Sequence, residues 1–308
     1  MVSVSRYIIK LCLAIGAALF VACDSEDFGV AGYEDRAITL SYGTRSTSGV
    51  DETQFMLGET IWLWASGSTN ITAWKLVADG NGGFTSSTQY YWPKDGAPLQ
   101  ATAIHGNFTT PPTEGITPWS DSFTHTVLQD QTSETNYRKS DLLYCLATIG
   151  QWQSSNILKF EHQLAKVEVT LSPASSNSIT EQELSNATVT LNNIKPSAIF
   201  NVSTSDVTAS GSACNVTMGN VFSSNANVRE AIVPGQTLTN LQFTVTFKTQ
   251  GTQRTLTCKT SSSVNFLKKN KYKYTLTLYN DKITLSSVSV TPFGEETKDE
   301  SFKIYVGP

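Results

Sequence analysis

The residues best equipped for chemistry in this 308-residue chain are three histidines, His105, His125 and His162, and they stand too far apart in sequence to share a metal-ligand spacing. His162 sits on the apolar parity of an alternating segment, so it reads as a core histidine with a satisfied hydrogen bond. His105 and His125 read as loop residues. The chain contains no serine nucleophile elbow, no phosphate-cradling glycine loop and no HExxH zinc motif. Asp79-Gly80-Asn81-Gly82-Gly83 opens like a calcium loop, which needs an oxygen ligand at its fifth position and a glutamate at its twelfth. Gly83 and Tyr90 occupy those positions, so the segment reads as a turn. Among the tryptophans, Trp62 and Trp64 share strand parity and are expected to face inward together. Trp119, in the loop Pro118-Trp119-Ser120, is the candidate for an exposed platform that stacks a sugar ring. These residues point away from an enzyme and call for no cofactor or metal.

A different chemistry is written at the start of the chain. Arg6 and Lys10 precede an apolar run from Leu11 to Ala22, which falls short of the roughly 20 residues of a bilayer span. A basic start, a short apolar core and small residues before a cut site describe a secretory signal peptide over residues 1–22. Phe20-Val21-Ala22-Cys23 resembles the lipobox of bacterial lipoproteins, with Phe20 where leucine is usual. The resemblance implies that Cys23 becomes the acylated first residue and tethers the protein to the outer membrane, each buried CH₂ contributing about 0.8 kcal/mol. A plain signal peptide cut near Ala22 is the alternative. Asp24-Ser25-Glu26-Asp27 resembles a surface-export signal, or is a solvated acidic run within a linker over residues 23–36. Cys145, Cys214 and Cys258 then remain. An odd number leaves at least one free thiol, and a Cys214–Cys258 pair would need neighbouring strands.

About 285 residues follow the signal, enough for two domains. Charged residues make up 16% of the sequence, below the usual ~25%. The net charge of −4 leaves no basic footprint for nucleic acid. Period-two alternation dominates and predicts strands with one buried face. It is clearest in Leu241 to Phe247 and in Tyr272, Tyr274, Leu276 and Leu278, with a turn at Asn280-Asp281 leading into Ile283-Thr284-Leu285. Leu158, Phe160, His162 and Leu164 share one parity and Val167, Val169 and Leu171 the other, so a bulge or break is expected near Ala165-Lys166. The only helical candidate is Asp141-Leu142-Leu143-Tyr144. The expectation is an all-β chain with an N-terminal β-sandwich over residues 37–155 and a C-terminal one over 156–308.

Several segments, taken in order, resemble the fimbrillin family. They are Tyr90-Tyr91-Trp92-Pro93, Asp141-Leu142-Leu143, Phe160-Glu161-His162-Gln163-Leu164-Ala165-Lys166-Val167, Ile232-Val233-Pro234, Lys271 to Leu276, and Val288 to Phe293. The Phe-x-His-x-Leu-Ala-Lys-Val run is the most specific, and Phe293 stands near where many relatives carry tryptophan. The resemblance implies two tandem transthyretin-like sandwiches, a surface-exposed lipoprotein or fimbrium, and a stalk, anchor or tip role in a type V pilus. It further implies cleavage between Arg45 and Ser46, removal of the strand Ala37–Tyr42, and filling of the vacated groove by a strand from another subunit. The alternating tail Ser301–Val306 is either such a donor or an edge strand of its own domain. The partners so implied are other pilus subunits joined by β-strand addition, the outer membrane, and a host or bacterial receptor or glycan. The rival reading is a glycan-binding surface lipoprotein.

Overall fold

A computed structural model of the chain describes residues 36–44, 54–115, 122–175 and 178–293. Cys23, Arg45, Ser46, Trp119 and the Ser301–Val306 segment lie outside those residues. The described chain begins with strands β1 (Ser41–Thr44), β2 (Thr60–Ser66), β3 (Ile71–Ala78), β4 (Phe84–Thr85), β5 (Leu99–His105) and β6 (Ser122–Thr126). Helix α1 (Glu134–Ser140), β7 (Leu143–Ile149), β8 (Ile157–His162), β9 (Ala165–Pro173) and helix α2 (Glu181–Ser185) follow. Next come β10 (Thr188–Ile194), β11 (Ser197–Asn201), β12 (Val207–Ser210), β13 (Cys214–Met218), β14 (Val228–Val233) and β15 (Gln236–Leu238). The last are β16 (Gln242–Thr249), β17 (Thr252–Lys259), β18 (Val264–Phe266), β19 (Asn270–Leu278) and β20 (Ile283–Pro292). The protein is nearly all-β, as the alternation predicts.

The first sheet runs β1-β8-β7-β5-β2-β3-β4. One face carries the apolar cluster of Ile61, Leu63, Trp74, Leu99, Leu158 and Phe160. The other face turns Trp64, with Trp62 beside it, onto a short sheet of order β12-β11-β6. The two tryptophans therefore do face the same way and inward, into a second apolar layer that also covers their side of β2. In the C-terminal part, a β14-β9-β19-β20 sheet packs on a β13-β10-β16-β17 sheet. Phe243, Val245 and Phe247 from β16 meet Tyr274, Leu276 and Leu278 from β19 in one core. The turn at Asn280-Asp281 joins β19 to β20 in an antiparallel hairpin.

The parity switch near Ala165 marks a change of sheet. β8 ends at His162 in the first sheet and β9 starts at Ala165 in the C-terminal one. The division expected after Ser155 does not coincide with that change, because β8 lies beyond it and still pairs with β7, Leu143 opposite His162. The two parts are also stitched together. β6 pairs with β11 from Ser197↔Thr126 to Asn201↔Ser122, so the middle sheet takes strands from both. The helix expected over Asp141–Tyr144 is displaced. Helix α1 occupies Glu134–Ser140, with the Ser133 side chain capping its start, and Asp141 lies just past its end. Cys214 and Cys258 lie on β13 and β17, opposite edges of one sheet, and both are free thiols.

Polar groups inside the stitch are paired. The fully buried Gln131 imitates a strand neighbour: its amide nitrogen donates to Ile232 O at 2.9 Å, and its amide oxygen accepts from Ile232 N–H at 2.8 Å. Gly219 lets this segment approach, since a β-carbon there would stand 2.3 Å from Gln131 O. Lys166 Nζ lies 2.7 Å from Glu230 Oε1, with side chains 2% and 3% exposed. Removing one member of such a pair strands a charge away from water and costs about 3–5 kcal/mol. Urea unfolding of Glu230→Gln is expected to show a loss of that size. Adding Lys166→Met to the same chain is expected to recover most of it.

Candidate functional site: the strand that closes the first sheet

Ala37-Ile38-Thr39-Leu40-Ser41-Tyr42 alternates, and the structure uses the alternation. Ile38 and Leu40 are 3% and 7% exposed and enter the first core, while Thr39 faces solvent. Each such burial is worth roughly 1.5–3 kcal/mol. Main-chain hydrogen bonds hold the segment on both sides. On one side β1 runs parallel to β8, from Ser41↔Ile157 to Thr44↔Phe160, and Ser41 N–H donates to Asn156 O at 3.0 Å. On the other side Ile38 N–H donates to Tyr90 O at 2.8 Å and Tyr42 N–H to Gly82 O at 3.0 Å, while Trp92 N–H donates to Arg36 O at 3.0 Å. Antiparallel bridges Ala37↔Tyr91 and Ser41↔Gly83 complete this side. The segment 36–44 thus fills the gap where the two ends of the first sheet meet.

Tyr42 anchors the far end of the segment. Its hydroxyl donates to Phe55 O at 3.1 Å and accepts from Gly82 N–H at 3.3 Å, and its ring packs on Phe55 and Phe84. Without this segment the β8 edge would lose its outer hydrogen-bond partners, and the pockets for Ile38 and Leu40 would open to water. A sheet edge in that state accepts a strand from elsewhere. Arg45 and Ser46, the expected processing position, follow Thr44 directly in sequence.

The three histidines, far apart in sequence, converge behind β5 and α1. His105 is the last residue of β5, 8% exposed, with Nδ1 2.8 Å from Thr60 O. His125 lies on β6 and is fully buried. Both were expected in loops, and strand pairing instead draws them inside. Asn107 N–H donates to His125 Nδ1 at 3.0 Å, and Nε2 lies 2.9 Å from Ser140 O. A ring that accepts at Nδ1 and donates at Nε2 is neutral, and burial accordingly pushes the His125 pKa down to about 4. His162 is the core histidine expected: its Nδ1 lies 2.6 Å from Asp141 Oδ2, and its ring stacks on Phe293 at 3.8 Å. Burial works to raise the Asp141 pKa, but the charge of His162 and the hydrogen bond from it bring the net shift below the ordinary value.

The cleft beside this cluster holds about 20 Å³, room for roughly one water and for no organic substrate. Asp141 Oδ1, buried there without a protein partner, is suited to bind such a water. The Asp79 loop is closed on itself, since Asp79 Oδ1 accepts from Asn81 N–H at 2.7 Å and Gly83 N–H at 2.9 Å. Among the described residues no cluster of three or more His, Cys, Asp or Glu is placed to hold a metal, and no helix is long and apolar enough to cross a membrane.

Solved structures share this fold. The fold is similar to that of a candidate cell adhesion protein from Bacteroides uniformis, with a TM-score of 0.61, 20% identity, and 84% of this chain and 97% of that one covered. A candidate cell adhesion protein from Bacteroides ovatus gives a TM-score of 0.65 at 14% identity, covering 84% and 98%. No curated protein sequence matches the chain. The fimbrillin-like family model matches residues 44–292, and the chain belongs to that family of fimbrial, cell-surface, structural proteins.

Two measurements check the site. Ile38→Ala is expected to lower stability by about 2–5 kcal/mol, against less than about 0.5 kcal/mol for the exposed Thr39→Ala, read from urea midpoints. His125 is neutral when folded, with a pKa of about 4, and has the ordinary value of about 6.5 when unfolded. Below 6.5 the unfolded chain takes up a proton that the folded chain refuses until about pH 4, so stability falls as pH drops through that window, by about 3 kcal/mol in all. The wild-type urea midpoint is expected to decline between pH 6.5 and 4, and His125→Gln to flatten that decline.

Proposed function

We propose that this protein is a lipid-tethered structural or adhesive subunit, stalk, anchor or tip, of a type V pilus assembled by donor-strand exchange. The observation that carries the reading is the segment 36–44. It is a short extended piece, buried through two side chains and bonded along both edges, that ends one residue before Arg45. In this reading the mature protein begins at an acylated Cys23 and holds two tandem transthyretin-like sandwiches. An Arg-specific protease cuts between Arg45 and Ser46, and the released segment takes the lipid with it because Cys23 lies upstream. The vacated gap then takes a strand from another subunit, which must present apolar side chains at every second residue to refill the Ile38 and Leu40 pockets. An uncut molecule stays on the outer membrane as an anchor would.

Trypsin-like treatment of purified protein, followed by N-terminal sequencing and native electrophoresis, tests this. The expected result is a new terminus at Ser46 with monomers converting into a ladder of oligomers, and Arg45→Ala blocking both. Cleavage at Arg45 that leaves only monomers rejects strand exchange.

Glycan binding at the surface remains the second reading, favoured by Trp152. Its ring is 66% exposed, with the Arg36 guanidinium 5.5 Å from its centroid, and Tyr91 on the neighbouring segment is also exposed. It offers an exposed stacking face in addition to the one expected of Trp119, which lies outside the described residues. On this reading a polysaccharide is retained by the monomer and Trp152→Ala weakens that retention, read by affinity electrophoresis.

A further inference from the structure

The closing segment carries one residue that its strand conformation does not call for. Gly43 lies within β1, pairs with Lys159 on β8, and has no left-handed backbone angle. Glycine weakens a strand interior, because it costs backbone entropy and offers no side chain to pack. A strand glycine that is not needed for its angle marks a close approach.

What comes close is Ile157. A β-carbon built on Gly43 would stand 2.8 Å from Ile157 Cγ2, nearer than real carbon contacts allow. Ile157 pairs with Ser41 and lies on the face opposite the buried Leu158, so it stands diagonal to Gly43 on the outer side. Its side chain is 41% exposed, and the core does not require isoleucine here. Branching at Cβ stiffens the χ1 torsion, so Cγ2 cannot swing aside at little cost.

The residue before the glycine is gripped on the inner side. Tyr42 N–H donates to Gly82 O and the Tyr42 hydroxyl accepts from Gly82 N–H, so backbone and side chain hold the same residue. The hydroxyl also donates to Phe55 O at 3.1 Å. A ring without the hydroxyl leaves both groups short of a partner. Together the two positions fix register. A strand that slips by two residues keeps its apolar side chains inward, yet it brings a β-carbon against Ile157 Cγ2.

We propose that Ile157 is the specificity-determining residue of this edge. The gap beside β8 takes an extended strand, parallel to β8, in which tyrosine is followed by glycine. It rejects strands that carry a side chain at the glycine position. Alternating apolar residues give such a strand its affinity, and the glycine gives it its register. The partner is a strand of another subunit, and in that respect the inference rests on the strand exchange proposed above.

Urea unfolding of the uncut chain is the first test. Gly43→Ala is expected to lower the midpoint, but to leave it unchanged or raise it when Ile157→Ala is already present. The entropic gain from replacing glycine is common to both backgrounds, so the difference isolates the contact with Ile157. Equal effects in the two backgrounds overturn the proposal. The second test offers labelled peptides to the full-length Ile38→Asp/Leu40→Asp chain, whose own segment no longer fills its pockets. A peptide copying Ala37–Thr44 is expected to be retained, and the same peptide with Gly43→Ala to be held about tenfold more weakly. Tyr42→Phe in the peptide is expected to weaken retention as well, and Ile157→Ala in the protein to remove the alanine penalty. Equal retention of the native and either altered peptide, or retention of none, overturns the proposal. Neither test involves cutting at Arg45. If both succeed while cleavage there leaves only monomers, the filter stands and exchange between subunits is rejected.

Discussion

Main-chain hydrogen bonding along strand edges is the interaction on which the rest of this molecule depends. Each strand has two edges, and a buried or half-buried edge without a partner leaves donors and acceptors unsatisfied. The first sheet meets that demand with the segment 36–44, which reaches Gly82 and Tyr90 on one side and β8 on the other. Two apolar side chains and a tyrosine are enough to hold it.

The polar groups of the interior serve the same constraint. Where β6 and the segment after it lie against the C-terminal sheets, strand pairing is incomplete, and side chains fill in for backbone. Gln131 bonds to both main-chain groups of Ile232, the Asn107 amide is taken up by His125, and the Lys166–Glu230 pair sits beneath Phe293 and Tyr137. These groups look like a reactive cluster when only their identities are considered. Their partners are backbone groups or one another, and the adjoining cleft holds about 20 Å³. They hold the two parts of the chain in register.

Much of this was legible in the residues. The alternation in Leu241 to Phe247 and in Tyr272 to Leu278 identified the inward faces of β16 and β19 because side chains on a strand change face at every residue. The parity switch near Ala165 marked a true break, though its meaning as a change of sheet needed the partners of β8 and β9. Local signals were also missed. Thr180-x-x-Glu183 is a capping box that opens α2, and Ser133 before Glu134 caps α1. The apolar pair Leu142-Leu143 drew attention past that start signal, and Leu143 belongs to β7.

The sequence by itself determined the all-β class, the buried faces of the regular strands, the family, and the position of an alternating segment just ahead of Arg45. Each of these is a local pattern carried by side chains. Only the tertiary structure decided that this segment lies parallel to a strand more than a hundred residues away, that β6 joins β11, and that His105, His125 and His162 approach the same aspartate. The strand pairings are made by backbone carbonyls, which every residue carries, and N–H groups, which only proline lacks, so no side-chain pattern announces them.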